Sequence, residues 1–277
     1  MEFYLDTNAL NYLFEHACYS NAELTDIRAR LKRKVELREM SVLADDILLS
    51  ELVDAAPTRP TKFQNMSDYL LSLVGPNWLL HIHERVKNEL AFKRRLYNQE
   101  RLRSDLNPSD LAAPSPHDTA VREETNKNYA SKNQYRLDVE SAKADFLAQF
   151  GLQQLRSDTR DWWANPEQVI DRYVTFHFER DHENLGLRPW PSSWPNPRMA
   201  FSLWNVTAFF LARIYLNLAE GASIQPSDFN DATHYSAASY SDIMITDDIA
   251  FSKTYDKIPS PLFKIKNFAY FVSHITS

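Results

Sequence analysis

Carboxylates gather late in the chain in a pattern that suits chemistry. Asp228-Phe229-Asn230-Asp231-Ala232-Thr233-His234 reads as the start of a helix with two acids three residues apart, and Tyr240-Ser241-Asp242-Ile243-Met244-Ile245 runs on to Thr246-Asp247-Asp248. Acids are tolerated in the first turn of a helix because its N-terminal dipole favours them. Ile243-Met244-Ile245 has the character of a strand buried in a parallel sheet, and the carboxyl ends of such strands are where ligands bind. A single acid there would need no explanation. Several converging on one spot repel one another unless a cation lies between them. The expected chemistry is therefore that of a divalent-metal site with this stretch as one wall.

Two further acids are candidates for the same site. Glu2-Phe3-Tyr4-Leu5 is a short strand, with Asp6-Thr7-Asn8 directly after it. Asn8 is the expected cap of a helix carrying Ala9, Leu10, Leu13 and Phe14. Asp6 on its own is as well explained as a turn or capping residue. Ser41-Val42-Leu43-Ala44 is a second strand, and Asp45 or Asp46 opens a helix that continues through Leu52 and Val53 to near Pro57. Glu51 in that helix either faces solvent beside Asp54 or points to the carboxyl edge of the sheet, where burial would require a partner.

Composition bounds the class. The chain has 277 residues, 44% hydrophobic and 25% charged, with 4 glycines and 14 prolines. That suits a helix-rich globular protein with a sizeable core. One cysteine, Cys18, excludes an internal disulfide and fits a reducing, cytoplasmic setting; a packed role is expected for it. No secretory signal is expected, and no membrane association, because the apolar run Met199 to Ala219 is broken by Asn205, Arg213 and Asn217. A net charge of −6 argues against a coat for non-specific DNA binding. Local basic faces exist on two helices. Ala22 to Glu39 carries Arg28, Arg30, Lys32, Arg33 and Lys34, and Glu84 to about Asp105 carries Arg85, Lys87, Arg94 and Arg95. Solvated faces account for most such runs, and contact with nucleic acid is the functional expectation.

Trp78-Leu79-Leu80 is a third strand candidate. His81 and His83 beyond it lack a third zinc ligand and are expected to be structural. Asn107 to His117 is an expected loop, helices resume over Asp118 to Phe150 and Pro166 to Glu179, and Leu187 to Arg198 is an irregular connection. Gly221 stops the apolar helix. Leu262 to Lys266 is the last strand, with Phe268 to Ile275 closing the chain. Residues 84–198 then form a helical insertion between the two parts, 1–83 and 199–277, of an α/β core. Strand–helix units before and after it fit an open three-layer α/β/α parallel sheet. Acids at several carboxyl ends of that sheet would meet over its edge.

Four segments carry a family resemblance. Phe3-Tyr4-Leu5-Asp6-Thr7-Asn8, Leu49-Ser50-Glu51-Leu52-Val53, Asn230-Asp231-Ala232-Thr233-His234 and Ile245-Thr246-Asp247-Asp248-Ile249-Ala250-Phe251 resemble the successive acidic positions of PIN-like nuclease domains. Asp228, Asp231 and His234 ahead of the Thr-Asp-Asp strand end resemble the longer variety of that family. The resemblance covers about 1–83 and 199–277. It implies a metal-dependent nuclease that hydrolyses phosphodiester bonds, usually of RNA, with DNA open as the alternative substrate. Mg²⁺ or Mn²⁺ would be held by Asp6, Glu51, Asp231 and Asp248, directly or through water, with Asp228 as a fifth carboxylate. Thr7, Asn8 and Thr246 would orient those ligands, and Asp247 would support the turn. His234 is expected to pack or hydrogen-bond, and Asp242 to be structural. A homo-oligomer and a protein inhibitor are both compatible with this reading.

The alternatives are a non-cleaving PIN-like RNA-binding or assembly module, the toxin of a toxin–antitoxin pair, and a haloacid-dehalogenase-type phosphatase. The last normally has a second aspartate where this chain has Asn8.

Overall fold

A computed structural model describes residues 1–55, 59–103, 119–181 and 196–277. The expectations for Pro57, for Asp105 to His117 and for the connection up to Pro195 lie outside them. In chain order the elements are β1 (Glu2–Leu5), α1 (Thr7–Tyr12), α2 (Asn21–Glu36), β2 (Ser41–Leu43), α3 (Asp46–Ala55), α4 (Pro60–Val74) and α5 (Ile82–Phe92). They continue with α6 (Thr119–Phe150), α7 (Leu152–Trp162), α8 (Pro166–Asp181), α9 (Phe201–Glu220), α10 (Asp228–Ala238), β3 (Ile243–Ile245), α11 (Ile249–Tyr255), β4 (Lys264–Lys266) and α12 (Phe268–Thr276).

The four described strands form one parallel sheet in the order β2-β1-β3-β4. From β1 the chain first adds β2 on one side and later β3 on the other. The carboxyl ends of β1 and β3 therefore flank a topological switch point, where helices leave to opposite sides and a crevice opens. Alternation along the strands divides the core. Phe3, Leu5, Val42, Ile243 and Ile245 pack with Leu10, Leu24, Leu31, Leu48, Leu70 and Phe271 on one face. Tyr4, Leu43 and Met244 pack with Phe209, Ala212, Ala232 and Tyr235 on the other. Helices thus cover both faces of the sheet in an α/β architecture.

Helix α9 is the spine of the second layer, in contact with α5, α7, α8, α10 and α11. Its polar interruptions are each satisfied. The Asn205 amide donates to the Phe201 carbonyl at 2.8 Å, Arg213 pairs with Asp228 at 2.9 Å, and the Asn217 amide donates to the Ala222 carbonyl at 2.6 Å. Gly221 ends the helix in the left-handed conformation, φ 78°, which glycine adopts without steric cost. Leu96, Leu102, Trp163, Ile170 and Val174, all from the expected insertion, belong to the same hydrophobic cluster as Tyr4 and Met244. That segment is part of the core's packing.

Several expectations are corrected. Asp6, not Asn8, caps α1: its carboxylate accepts from the Ala9 amide at 2.5 Å, and Asn8 is exposed on the first turn. Trp78 and Leu79 make only isolated bridges to Ala44 and Leu102, because α5 begins at Ile82 with His81 as its cap. That helix stops at Phe92, well short of Asp105, where Lys93 turns left-handed at φ 56°. Cys18 is exposed rather than packed. Among the described residues, no helix is long and apolar enough to cross a membrane.

Candidate active site

The switch-point crevice is a cavity of about 380 Å³ whose lining includes Asp6, Thr7, Asn8, Glu51, Asn230, Asp231, His234 and Asp248. Each side chain arrives for a local reason. Asp6 is the first residue past β1, held where the strand's last hydrogen bond, from its amide to the Ile245 carbonyl at 3.2 Å, gives way to the α1 cap. Asp248, three residues past β3, holds the matching cap position. It caps α11 by accepting from the Phe251 amide at 2.8 Å, while its own amide donates to Thr246 Oγ1 at 3.0 Å. Asp231 and His234 lie one turn apart on α10 and so share a face. Glu51 comes from α3, whose position against α10 sends it inward.

Glu51 is the hub. Its Oε2 accepts from Thr7 Oγ1 through a very short contact and pairs with His234 Nε2 at 2.9 Å, and its Oε1 accepts from the Asn230 amide at 2.6 Å. Burial alone would raise its pKa. The charge and hydrogen bond of His234, then the bonds from Thr7 and Asn230, outweigh burial and bring it down to about 2. For His234 burial pulls down, but the Glu51 charge and hydrogen bond raise it to about 9. The two shifts agree on an ion pair. Behind it, the Tyr4 hydroxyl lies 2.6 Å from His234 Nδ1 and donates to Asp45 Oδ1 at 3.0 Å, and Asp45 stands 3.6 Å from the Arg85 guanidinium.

The aspartates are under different stress. Burial chiefly, and then the Asp228, Asp248 and Glu51 charges, push Asp231 up to about 8 against the pull of His234. Burial raises Asp6 to about 6, although Thr246 and the Ala9 amide donate to it and lower it. Acids crowded in this way favour either protons or a cation.

Asp228 does not line the cavity, which corrects its expected place as a fifth ligand. One of its oxygens is taken by Arg213 and the other by the Gln225 amide at 2.9 Å, so it acts on Asp231 through its field alone. Asp247 turns outward and accepts loosely from the Phe268 amide, and Asp242 accepts from the Glu2 amide at 2.8 Å.

The basic helices contribute nothing to the lining. Arg85 is fully buried between Asp45 and the Tyr240 ring and cannot contact nucleic acid as placed, because its expected outer face is turned to the core. Arg95 donates to the Ser239 carbonyl at 2.6 Å, Arg28 to the Leu13 carbonyl at 2.6 Å and Lys34 to the His274 carbonyl at 3.1 Å. Arg30 and Arg94 are paired with Asp26 and Glu100, which leaves Lys32, Arg33 and Lys87 as the exposed cations outside those contacts.

Sequence reading passed over Tyr4, Asp45 and Asn230 as functional groups. For Tyr4 a signal existed. It alternates away from Phe3 and Leu5, and a buried phenol needs a polar partner on the far face. Tyr4→Phe should therefore cost about 1–3 kcal/mol, because it leaves buried polar groups of His234 and Asp45 unpaired. Urea unfolding of both chains measures this, and coincident midpoints would show that the bridge contributes nothing.

Oxygen donors dominate the cavity, as Mg²⁺ and Mn²⁺ require. Asn230 Oδ1 is buried without a hydrogen-bond partner, a further hard oxygen at the site. Among the described residues, no group of three His, Cys, Asp or Glu side chains is positioned to hold a metal ion. The residue types fit such an ion, and the side chains would have to close on it. No protein-family model, curated protein or solved structure matches this chain.

Proposed function

We propose that the chain is a metal-dependent nuclease of PIN-like design that hydrolyses RNA. One observation carries the reading: Asp6, Glu51, Asp231 and Asp248, drawn from four separate elements, line a single cavity at the switch point of a parallel sheet. Asp6, Asp231 and Asp248 would hold Mg²⁺ or Mn²⁺, with Asn230 Oδ1 within the same wall and Glu51 acting through water or through its neighbours. When bound, such an ion supplies an activated water and neutralises charge building on the phosphate. The chain's own work is to position. Glu51 ties Thr7, Asn230 and His234 into one rigid frame, and Thr246 orients the backbone before Asp248.

A second reading has its own support. Both Glu51 oxygens are already occupied by Thr7, Asn230 and His234, as suits a PIN-like module that binds RNA without cutting it. Incubation with labelled single-stranded RNA and DNA in Mn²⁺ decides between the two. Asp6→Asn and Asp248→Asn should each lower cleavage by roughly 100-fold or more, the scale of an essential charge in an active site. Binding without cleavage by the unaltered chain would establish the module instead.

A further inference from the structure

A second cavity, of about 670 Å³, shares Thr7 and Asn8 with the acid cavity and lies between the end of α1 and the start of α4. Its walls differ in chemistry from those of the first. Arg59 and Lys62 supply two cations, and both close on one carboxylate, Glu15: Arg59 at 3.0 Å and Lys62 through a shorter contact. Tyr12 and His16 supply rings. The His16 ring stacks on Phe268 at 5.2 Å and 25°, and Tyr12 meets His16 edge-on at 4.9 Å. Asn8 and Asn11 supply amides, while Leu52 and Met66 supply an apolar floor.

We propose that this cavity is a nucleotide subsite for an unpaired strand, with a phosphate on Arg59 and Lys62 and the neighbouring base against Tyr12 and His16. The proposal rests on the nuclease reading for the direction of the strand, which would pass from here over Thr7 and Asn8 into the acids. Cations for phosphate and rings for a base are the two halves of single-strand recognition. A base inside a duplex has both faces stacked already and offers none to the rings, so the site selects single strands. Glu15 holds the cations in the free protein, and an incoming phosphate must displace it. Its removal should therefore tighten binding, whereas the loss of either cation should weaken it.

The test uses the full chain carrying Asp231→Asn, so that the strand survives, and a fluorescein-labelled oligouridylate followed by anisotropy. Glu15→Gln added to this background should tighten binding by about 3- to 10-fold, and Arg59→Ala with Lys62→Ala should weaken it by about 10-fold or more. The double change should also flatten the logarithmic salt slope by about 0.7, the single-strand value for one phosphate contact. Tyr12→Ala should weaken binding with the salt slope unchanged, because stacking carries no counterions. Circular dichroism checks that each variant is folded. Affinities indifferent to Glu15, Arg59 and Lys62, or equal competition by a duplex of the same length, overturn the subsite. Cleavage abolished by Asp6→Asn yet untouched by Arg59 and Lys62 would keep the nuclease and remove the subsite. Binding governed by Glu15 with no cleavage by the unaltered chain would do the reverse.

Discussion

Asp231→Asn is expected to stabilise the metal-free chain at pH 8 by roughly 2–4 kcal/mol even as it removes cleavage. The folded chain holds the Asp231 proton up to about 8, above an unfolded aspartate, so folding favours the protonated form. Stability consequently falls as pH rises from about 4, where unfolded aspartate ionises, towards 8, and the loss is complete above that. Asparagine has no charge to be penalised. The gain should be largest at pH 8 and above and should vanish near pH 4. Asp231 opens on the cavity, and water there keeps the effect below the full linkage value. Mn²⁺ should raise the thermal midpoint of the unaltered chain and do little for the variant, because the cation relieves the same repulsion. A variant less stable than its parent at pH 8 would mean that Asp231 is held by contacts that repay its charge.

Glu51→Gln should have the opposite sign, a loss of roughly 2–4 kcal/mol, because it strips the partner from a fully enclosed imidazolium. In the unaltered chain the Glu51 contribution is present above the ordinary glutamate pKa and is lost as pH falls through about 2. The His234 contribution is complete below the ordinary histidine pKa and is lost as pH rises through about 9. Both are whole only between about 4.3 and 6.5, so pH 5.5 is where the two chains should differ most in urea. In the variant burial dominates, and the His234 proton should come off below the ordinary value when followed by NMR. Retention of a His234 pKa near 9 would show that its proton is held by Tyr4 and Asp45 rather than by Glu51.

The strand-end acids were legible because the signal is local. Asp6 follows Phe3-Tyr4-Leu5 and Asp248 follows Ile243-Met244-Ile245, and the ends of buried parallel strands open on one side of a sheet. Glu51 was legible only through the family resemblance, and its local pattern left its direction open. Leu49 and Leu52 flank it in an ordinary helical pattern, and only the packing of α3 against α10 turns it inward. Asp228 was misplaced for the same reason, since its partner Arg213 lies on α9, distant in the pattern though adjacent in space. Arg85 shows the limit of charge counting. A basic run describes a helix surface, but Asp45 draws this one guanidinium into the core from another element. The end of α5 carries no glycine to announce it, whereas Gly151, at φ 82°, marks the end of the helix expected up to Phe150 and the start of α7, which the sequence reading left out.

The Glu2 amide that reaches Asp242 across 240 residues, beside the register of β1 with β3, has a bearing on how the protein is made. β1 leaves the ribosome with one flank bare, and the loop that must close to cover it spans most of the polypeptide. Until that late strand emerges, the nascent chain has Asp6 but no Asp231 or Asp248 beside it. If the proposed nuclease reading holds, a centre divided in this way would stay unassembled while its maker, itself an RNA machine, is within reach.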